Sequence, residues 1–383
     1  MNPVDHADAL VTDAHLRYAV AGLRGLAAGG LDVAALGRGR GAAGLWSRYA
    51  SARERGPDSV DDPAAFRASV AEVSRRWGPL VVYPSEEKSI DALLGGRPSL
   101  PTETRLPYSG EPALRRLRDK RRLATLAAEV GIGAPRTIAH GAARELRHAT
   151  VPLPCVVKPV GAQGELVSAC VIESREALLF LLDTLPGEES LLVQEHAPGP
   201  LVGLAVVVAR DGRAVARFQQ IAQRTWPAQA GNSSLAISVA PDEDLVARVV
   251  GLLAAAGYWG LAHVQFMGGG RSGPMLIDVN TRFYGSLPLA LACGVNLPAA
   301  WHGVALDVEP PHPAPYRLGV TYRWLDADIT AAYNGAPKLL LSRAPRPRVG
   351  AMWAPDDPVP STILAFEAAR ERIARRLPFR RRL

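Results

Sequence analysis

The spacing of hydrophobic and polar residues changes period several times along this chain, and each change marks an element. Leu16, Val20, Leu23 and Leu26 recur at helical spacing and predict a helix that stops at Gly29-Gly30. A strand is expected over Leu31–Leu36, a helix over Pro63–Trp77 and a strand over Leu80–Tyr83. Pro84-Ser85-Glu86-Glu87-Lys88 closes that strand at its C-terminal end, where open α/β sheets place ligands. Ser85 reads as the cap of the next helix, and substrate contact by Ser85 and Glu86 is the alternative. Residues 95–112 are rich in Gly and Pro and read as a linker. Leu114, Leu117, Leu123, Ala127 and Val130 then predict one helix from Ala113 to Val130, ended by Gly131. A buried strand over Val151–Val160 carries Lys158 and leads into the small turn Gly161-Ala162-Gln163-Gly164. Strands are expected at Leu191–Glu195, Leu204–Ala209 and Ala214–Gln219, a polar loop over Gln229–Ser234, and a helix over Asp242–Ala256.

The alternation is cleanest between Gly260 and Leu287. Ala262, Val264 and Phe266 alternate with His263 and Gln265; Met275, Ile277 and Val279 alternate with Asp278, Asn280 and Arg282. Successive strand side chains point to opposite faces, so each run has one apolar and one polar face. The Gly-rich connector predicts a hairpin that brings Gln265 beside Asp278. A carboxylate and two carboxamide oxygens suit Mg²⁺, and an arginine beside them suits an anionic group. An ordinary half-exposed hairpin has the same pattern, so both readings stay open here.

Composition narrows the partners. The chain has 383 residues, 48% of them hydrophobic and 21% charged, which fits a globular protein with two or three domains. No run of about eighteen uncharged apolar residues occurs, and the first residues lack the pattern of a signal peptide. Three widely spaced cysteines suggest neither zinc nor a disulfide framework, so a cytoplasmic location is expected. The net charge of +7 is concentrated: the stretch Arg370–Leu383 holds seven Arg and one Glu. The rest is nearly neutral, so no nucleic-acid footprint is expected. Ser361–Leu377 reads as a basic amphipathic helix, either lying on an anionic membrane surface or solvated with a frayed tail. Only four of 44 basic residues are lysine. Two of them, Lys120 and Lys158, stand in contexts suited to phosphate.

Four stretches, DKRRLATLAAEVGIGAPRT, CVVKP, LLVQEHAPG and GLAHVQF…LIDVNTRFYGSLPLALACGVNLP, occur in an order and spacing that resemble the ATP-grasp superfamily over roughly residues 111–300. Gln265 looks like the carbamoyl phosphate synthetase pattern, and Asn280-Thr281-Arg282 is similar to the biotin carboxylase-like branch. The whole arrangement, including YRWLDAD and APDDPVPS, looks most like predicted ATP-dependent carboxylate ligases. The resemblance implies an α/β protein, α+β in its ATP-grasp part. The expected domains are a pre-ATP-grasp domain (1–110), an ATP-grasp domain (111–310) and a C-terminal extension (311–383). It implies that Lys120, Lys158, Gly161 and Gly164 meet ATP phosphates, and that Gln194, Glu195 and Ala197 hold adenine and ribose. Gln265, Asp278 and Asn280 would bind Mg²⁺ or Mn²⁺, and Arg282, with Arg224, would orient a substrate carboxylate. The implied activity is ligation of a small-molecule carboxylate to an amine. A nucleotide-binding regulatory protein and a bicarbonate-activating enzyme are the alternatives, and a homodimer is a candidate assembly. The sequence departs from the family in three places: no acid in residues 199–203 for the ribose, a short phosphate loop, and Asp278 where Glu is commoner. The absence of a second ATP-grasp half and of a biotin-carrier segment argues against complete carbamoyl phosphate synthesis and carboxylation.

Overall fold

The computed structural model describes residues 6–78, 81–95, 100–160, 165–166, 169–228, 230–269, 273–308, 314–341 and 345–376. In chain order the first elements are β1 (Ala9–Val11), α1 (Arg17–Ala28), β2 (Val33–Gly37), β3 (Ala50–Arg55), α2 (Pro63–Trp77), β4 (Val81–Tyr83) and α3 (Glu87–Gly95). Next come α4 (Glu111–Arg118), α5 (Lys120–Glu129), β5 (Thr137–Ala142), α6 (Ala143–Leu146), β6 (Cys155–Pro159), β7 (Cys170–Ile172), α7 (Arg175–Thr184) and β8 (Ser190–Glu195). They are followed by β9 (Leu201–Val208), β10 (Ala214–Trp226), β11 (Asn232–Val239), α8 (Glu243–Ala255), β12 (Gly260–Gly269) and β13 (Gly273–Asn280). The chain closes with α9 (Leu287–Cys293), α10 (Leu297–Ala305), β14 (Thr321–Arg323), α11 (Leu325–Tyr333), α12 (Lys338–Leu341), β15 (Arg348–Gly350) and α13 (Pro358–Arg376). The fold class is α/β, as expected.

The chain divides into two compact units. The first comprises residues 1–107, 282–311 and 320–383, and the second 108–281 and 312–319. This partition differs from the expected domains: residues 282–311 and most of the C-terminal extension join the first unit. The reason is apolar burial. Phe283 stacks on Tyr83 of β4 with ring centroids 5.6 Å apart, and Trp301 of α10 meets the same ring edge-on at 5.0 Å. All three rings are fully buried, and each contributes roughly 1.5–3 kcal/mol on the usual scale. The sheet of the first unit is wholly parallel, in the order β3-β2-β1-β4.

The second unit contains two antiparallel sheets. The smaller has the order β5-β8-β6-β7; in the larger, the strands of this unit run β13-β12-β9-β10-β11. Two local expectations are corrected here. The helix expected over Ala113–Val130 is broken at Asp119, whose carboxylate accepts hydrogen bonds from the Arg121 and Arg122 amides and so caps α5. The hairpin pairs Gln265 with Asp278, but Phe266 with Leu276, so Ile277 is an inserted bulge residue. Leu276 and Val279 therefore point to the core, while Met275 and Ile277 are only half-buried. The turn at Gly161–Gly164 and the basic stretch beyond Arg376 lie outside the described residues. Among the described residues no single helix is long and apolar enough to cross a membrane; the pair α9–α10 is apolar enough only together, and bends by 97°.

Candidate active site

The second unit gathers charged groups beside a small cleft. Lys120 is the first residue of α5, placed there by the Asp119 cap, so its ammonium extends from a helix N-terminus that itself favours anions. Its Nζ forms an ion pair with Oδ1 of Asp278 on β13. The other oxygen, Oδ2, accepts a hydrogen bond from Asn280 Nδ2 at 3.0 Å, and the same amide donates to Gln265 Oε1 at 3.4 Å. The hairpin thus assembles Gln265, Asp278 and Asn280 as the alternation predicted. Lys158, on β6, shares the electrostatic environment of Lys120 and Asp278. Burial pulls its ammonium down to about 8 from an ordinary 10.5; the like charge of Lys120 adds to this, and Asp278 opposes it. The two lysines act on each other as like charges, and Asp278 offsets part of that charge.

The cleft is lined by Lys120, Leu123 and Ala124 of α5, by Ala134, by Gln194 of β8, and by Leu276 and Ile277 of β13. Its lining is mixed, aliphatic side chains together with the polar groups of Gln194 and Lys120. Gln194 is buried, with Nε2 donating to the Pro135 carbonyl at 3.3 Å. Glu195 accepts a hydrogen bond from the Arg136 amide at 3.0 Å, and its side chain also faces the Arg136 guanidinium. Ala197 is buried in the connector that follows. At Gly199 (φ +104°) a Cβ would stand 1.8 Å from the Gly268 carbonyl oxygen, so only glycine lets the connector cross the hairpin. Leu123, Ala124, Ala134 and Ile277 escaped the sequence reading. The first two look like ordinary core positions of a helix, and Ile277 is turned toward the cleft by the bulge.

The two arginines fall elsewhere. Arg224 is on β10, in the same sheet as β13 but separated from it by β9 and β12, with its Nε donating to Ser234 Oγ at 3.2 Å. Arg282 follows Asn280 by two residues but belongs to the first unit, where its guanidinium covers the Tyr18 ring at 4.8 Å. Ser85 does not cap α3: it is fully buried, and its hydroxyl has no hydrogen-bond partner.

The trio expected to bind metal contains a single carboxylate, and among the described residues no group of three His, Cys, Asp or Glu side chains is assembled. Oxygen ligands of this kind fit Mg²⁺, which takes one or two carboxylates and completes its shell with water and substrate phosphates. A cation, the Lys120 ammonium, is already drawn to the same carboxylate. A half-turn of the Asn280 amide would present its oxygen instead of its nitrogen.

Residues 187–327 match the family described as "ATP-grasp in the biosynthetic pathway with Ter operon". Among solved structures, the chain resembles a biotin carboxylase–β-γ-ATP complex from Campylobacter jejuni. That match has a TM-score of 0.64 and 12% identity, and covers 82% of this chain and 74% of that one. An L-amino acid ligase from Bacillus licheniformis gives 0.56 at 16% identity, covering 78% and 73%. An N5-carboxyaminoimidazole ribonucleotide synthetase from Thermus thermophilus gives 0.57 at 18% identity, covering 81% and 79%. No curated protein sequence matches.

Proposed function

We propose that the chain is an ATP-dependent carboxylate–amine ligase of the ATP-grasp superfamily, a reading supported by the family match over residues 187–327 and by the fold it shares with the solved structures above. One observation carries the reading: Lys120, Lys158 and Asp278 converge at the edge of the cleft lined by Gln194, Leu276 and Ile277. Adenine would enter the cleft beside Gln194, and Glu195, Ala197, Gly161 and Gly164 are assigned to the nucleotide by the resemblance alone. Lys120 and Lys158 bind the triphosphate and neutralise charge as the γ-phosphoryl leaves. Gln265, Asp278 and Asn280 hold Mg²⁺, which when bound supplies further neutralisation of the phosphate oxygens.

Carboxylates are poor electrophiles because resonance donation from the two charge-bearing oxygens quenches the reacting carbon and neither oxygen is a good leaving group. In this reading a substrate carboxylate oxygen attacks the γ-phosphorus and ADP departs, giving an acyl phosphate. An amine nitrogen then attacks the acyl carbon, phosphate leaves, and the nitrogen loses a proton. Such chemistry is chiefly positioning and electrostatics. By the resemblance, Arg282 would be the group that orients the carboxylate, its planar fork matching two oxygens, with Arg224 as the second candidate.

The test is a hydroxylamine trap. Wild-type protein and Lys158→Ala are incubated with Mg-ATP, hydroxylamine and pooled carboxylic acids, and the products are read by mass spectrometry. An ATP-dependent hydroxamate made only by wild type is expected, and it would identify the acid. Mg-ATP binding with no hydroxamate would favour a regulatory nucleotide-binding protein. ADP release that needs bicarbonate and no organic acid would indicate carboxyphosphate formation.

A further inference from the structure

The first unit has a topological switch point of its own, where open α/β sheets place a ligand crevice. Its parallel sheet reverses direction of growth at β1, with β2 and β3 to one side and β4 to the other. The loops after β1 and β4 therefore diverge at their C-terminal ends, the place where open α/β sheets receive ligands. Asp13, in the loop after β1, has φ +55° and is buried. It ties the two loops together: its carboxylate accepts from Thr12 Oγ1 at 2.7 Å, the Ser85 amide at 2.9 Å and Ser89 Oγ at 2.7 Å. Asp58 is also fully engaged, by the Arg38 guanidinium at 2.6 Å and the Val60 amide at 2.8 Å.

Around these satisfied acids stand four groups that are not satisfied. Among the described residues Glu86 has no ion-pair partner, although Asp13, Asp58, Arg282 and Arg38 all act on it electrostatically. Burial pushes its carboxyl up, and the negative charges of Asp13 and Asp58 push in the same direction. Arg282 lies over Tyr18 and donates from Nη1 to the Phe283 carbonyl at 3.2 Å, which leaves its buried Nε without a hydrogen-bond partner. The buried Ser85 Oγ and His15 Nδ1 are likewise unpartnered. Unmade hydrogen bonds of this kind typically cost about 1–3 kcal/mol each, and a ligand is what would repay them. Glu86 and the under-used Arg282 guanidinium have opposite signs. A simple anion would meet the field of Glu86, Asp13 and Asp58; a simple cation would meet Arg282 and Arg38.

We propose that this crevice binds an α-amino acid, its ammonium group on Glu86 and its carboxylate on Arg282, with the Ser85 hydroxyl and His15 as further polar contacts. The inference rests on the ligase reading for what the amino acid is used for, but not for its binding.

The experiment measures binding to the full-length protein at pH 7, without nucleotide. The twenty common amino acids are screened by equilibrium dialysis with mass spectrometry, each beside its des-amino acid and its decarboxylated amine. At least one amino acid is expected to bind at least tenfold more tightly than both analogues. Glu86→Gln, which preserves shape, is expected to abolish the preference over the des-amino acid. Arg282→Gln is expected to abolish binding of amino acid and des-amino acid alike. Circular dichroism checks that both variants are folded. No amino-acid binding, or a preference that survives Glu86→Gln in a folded variant, overturns the proposal. Amino-acid binding without any hydroxamate would leave this site standing and sink the ligase reading instead.

Discussion

Raising the pH should weaken nucleotide binding while stabilising the nucleotide-free protein, and both effects trace to Lys158. Its ammonium has fallen from 10.5 to about 8. About one molecule in ten then carries a neutral Lys158 at pH 7, half at pH 8, and about nine in ten at pH 9. If only the ammonium form binds the triphosphate, the apparent Kd for Mg-ATP rises about twofold by pH 8 and about tenfold by pH 9. Stability moves the other way. Between pH 8 and 10.5 the unfolded chain still holds a proton that the native state has lost, so ΔG of unfolding rises with pH. The gain approaches about 3 kcal/mol at the upper end, from 1.36 kcal/mol per pKa unit. Calorimetric titration of Mg-ATP from pH 6.5 to 9.5 reads the first effect, and urea unfolding over the same range reads the second. Lys158→Arg is the control, because a guanidinium stays charged throughout. A wild-type affinity that is flat to pH 9, or a Lys158→Arg variant that loses affinity in parallel, would refute the assignment.

Three further outcomes are expected. Asp278→Asn removes the only carboxylate of the metal trio and the partner of Lys120; a loss of roughly 10²–10³ in ATP-dependent turnover should follow, read by ADP release. Gly199→Ala drives a Cβ to 1.8 Å from the Gly268 carbonyl oxygen at φ +104°. That should cost about 1–3 kcal/mol in urea unfolding even after relaxation; an unchanged midpoint would show that the crossing is looser than this contact implies. Asp357, only 2% exposed, accepts from Arg24 Nε at 2.9 Å, Ser47 Oγ at 2.7 Å and the Arg48 amide at 2.9 Å. Asp357→Ala strands a largely buried guanidinium and should destabilise the protein by about 3–5 kcal/mol, with a matching drop in urea midpoint.

What the sequence revealed was local. The Pro63–Trp77 helix matches α2 at both ends because Asp62, Pro63 and Gly78 punctuate it. The pairing of Gln265 with Asp278 could be read from period-two alternation and a glycine turn. What escaped depends on contacts distant in the chain or on a single side chain competing with the backbone. Asp119 splits one apolar stripe into two helices, and no periodicity reports that. The bulge at Ile277 inverts the expected facing of Met275 and Leu276. Tyr83 meets Phe283 and Trp301 from about two hundred residues away in the chain, which is why residues 282–311 join a different unit from the one expected. The Glu86 crevice draws on loops after four different strands and on Arg282, so its charge balance is visible only when they are folded together.

The ion pair between Lys120 and Asp278 bears on the order of events. It acts as a tethered counter-ion. A lone divalent ion would have to evict an ammonium that cannot diffuse away, and would gain one carboxylate for doing so. A triphosphate carrying its own Mg²⁺ changes that balance, because it offers Lys120 a richer anion at the moment the metal needs Asp278. Loading should therefore be concerted, with the protein indifferent to free magnesium and responsive only to the metal–nucleotide pair.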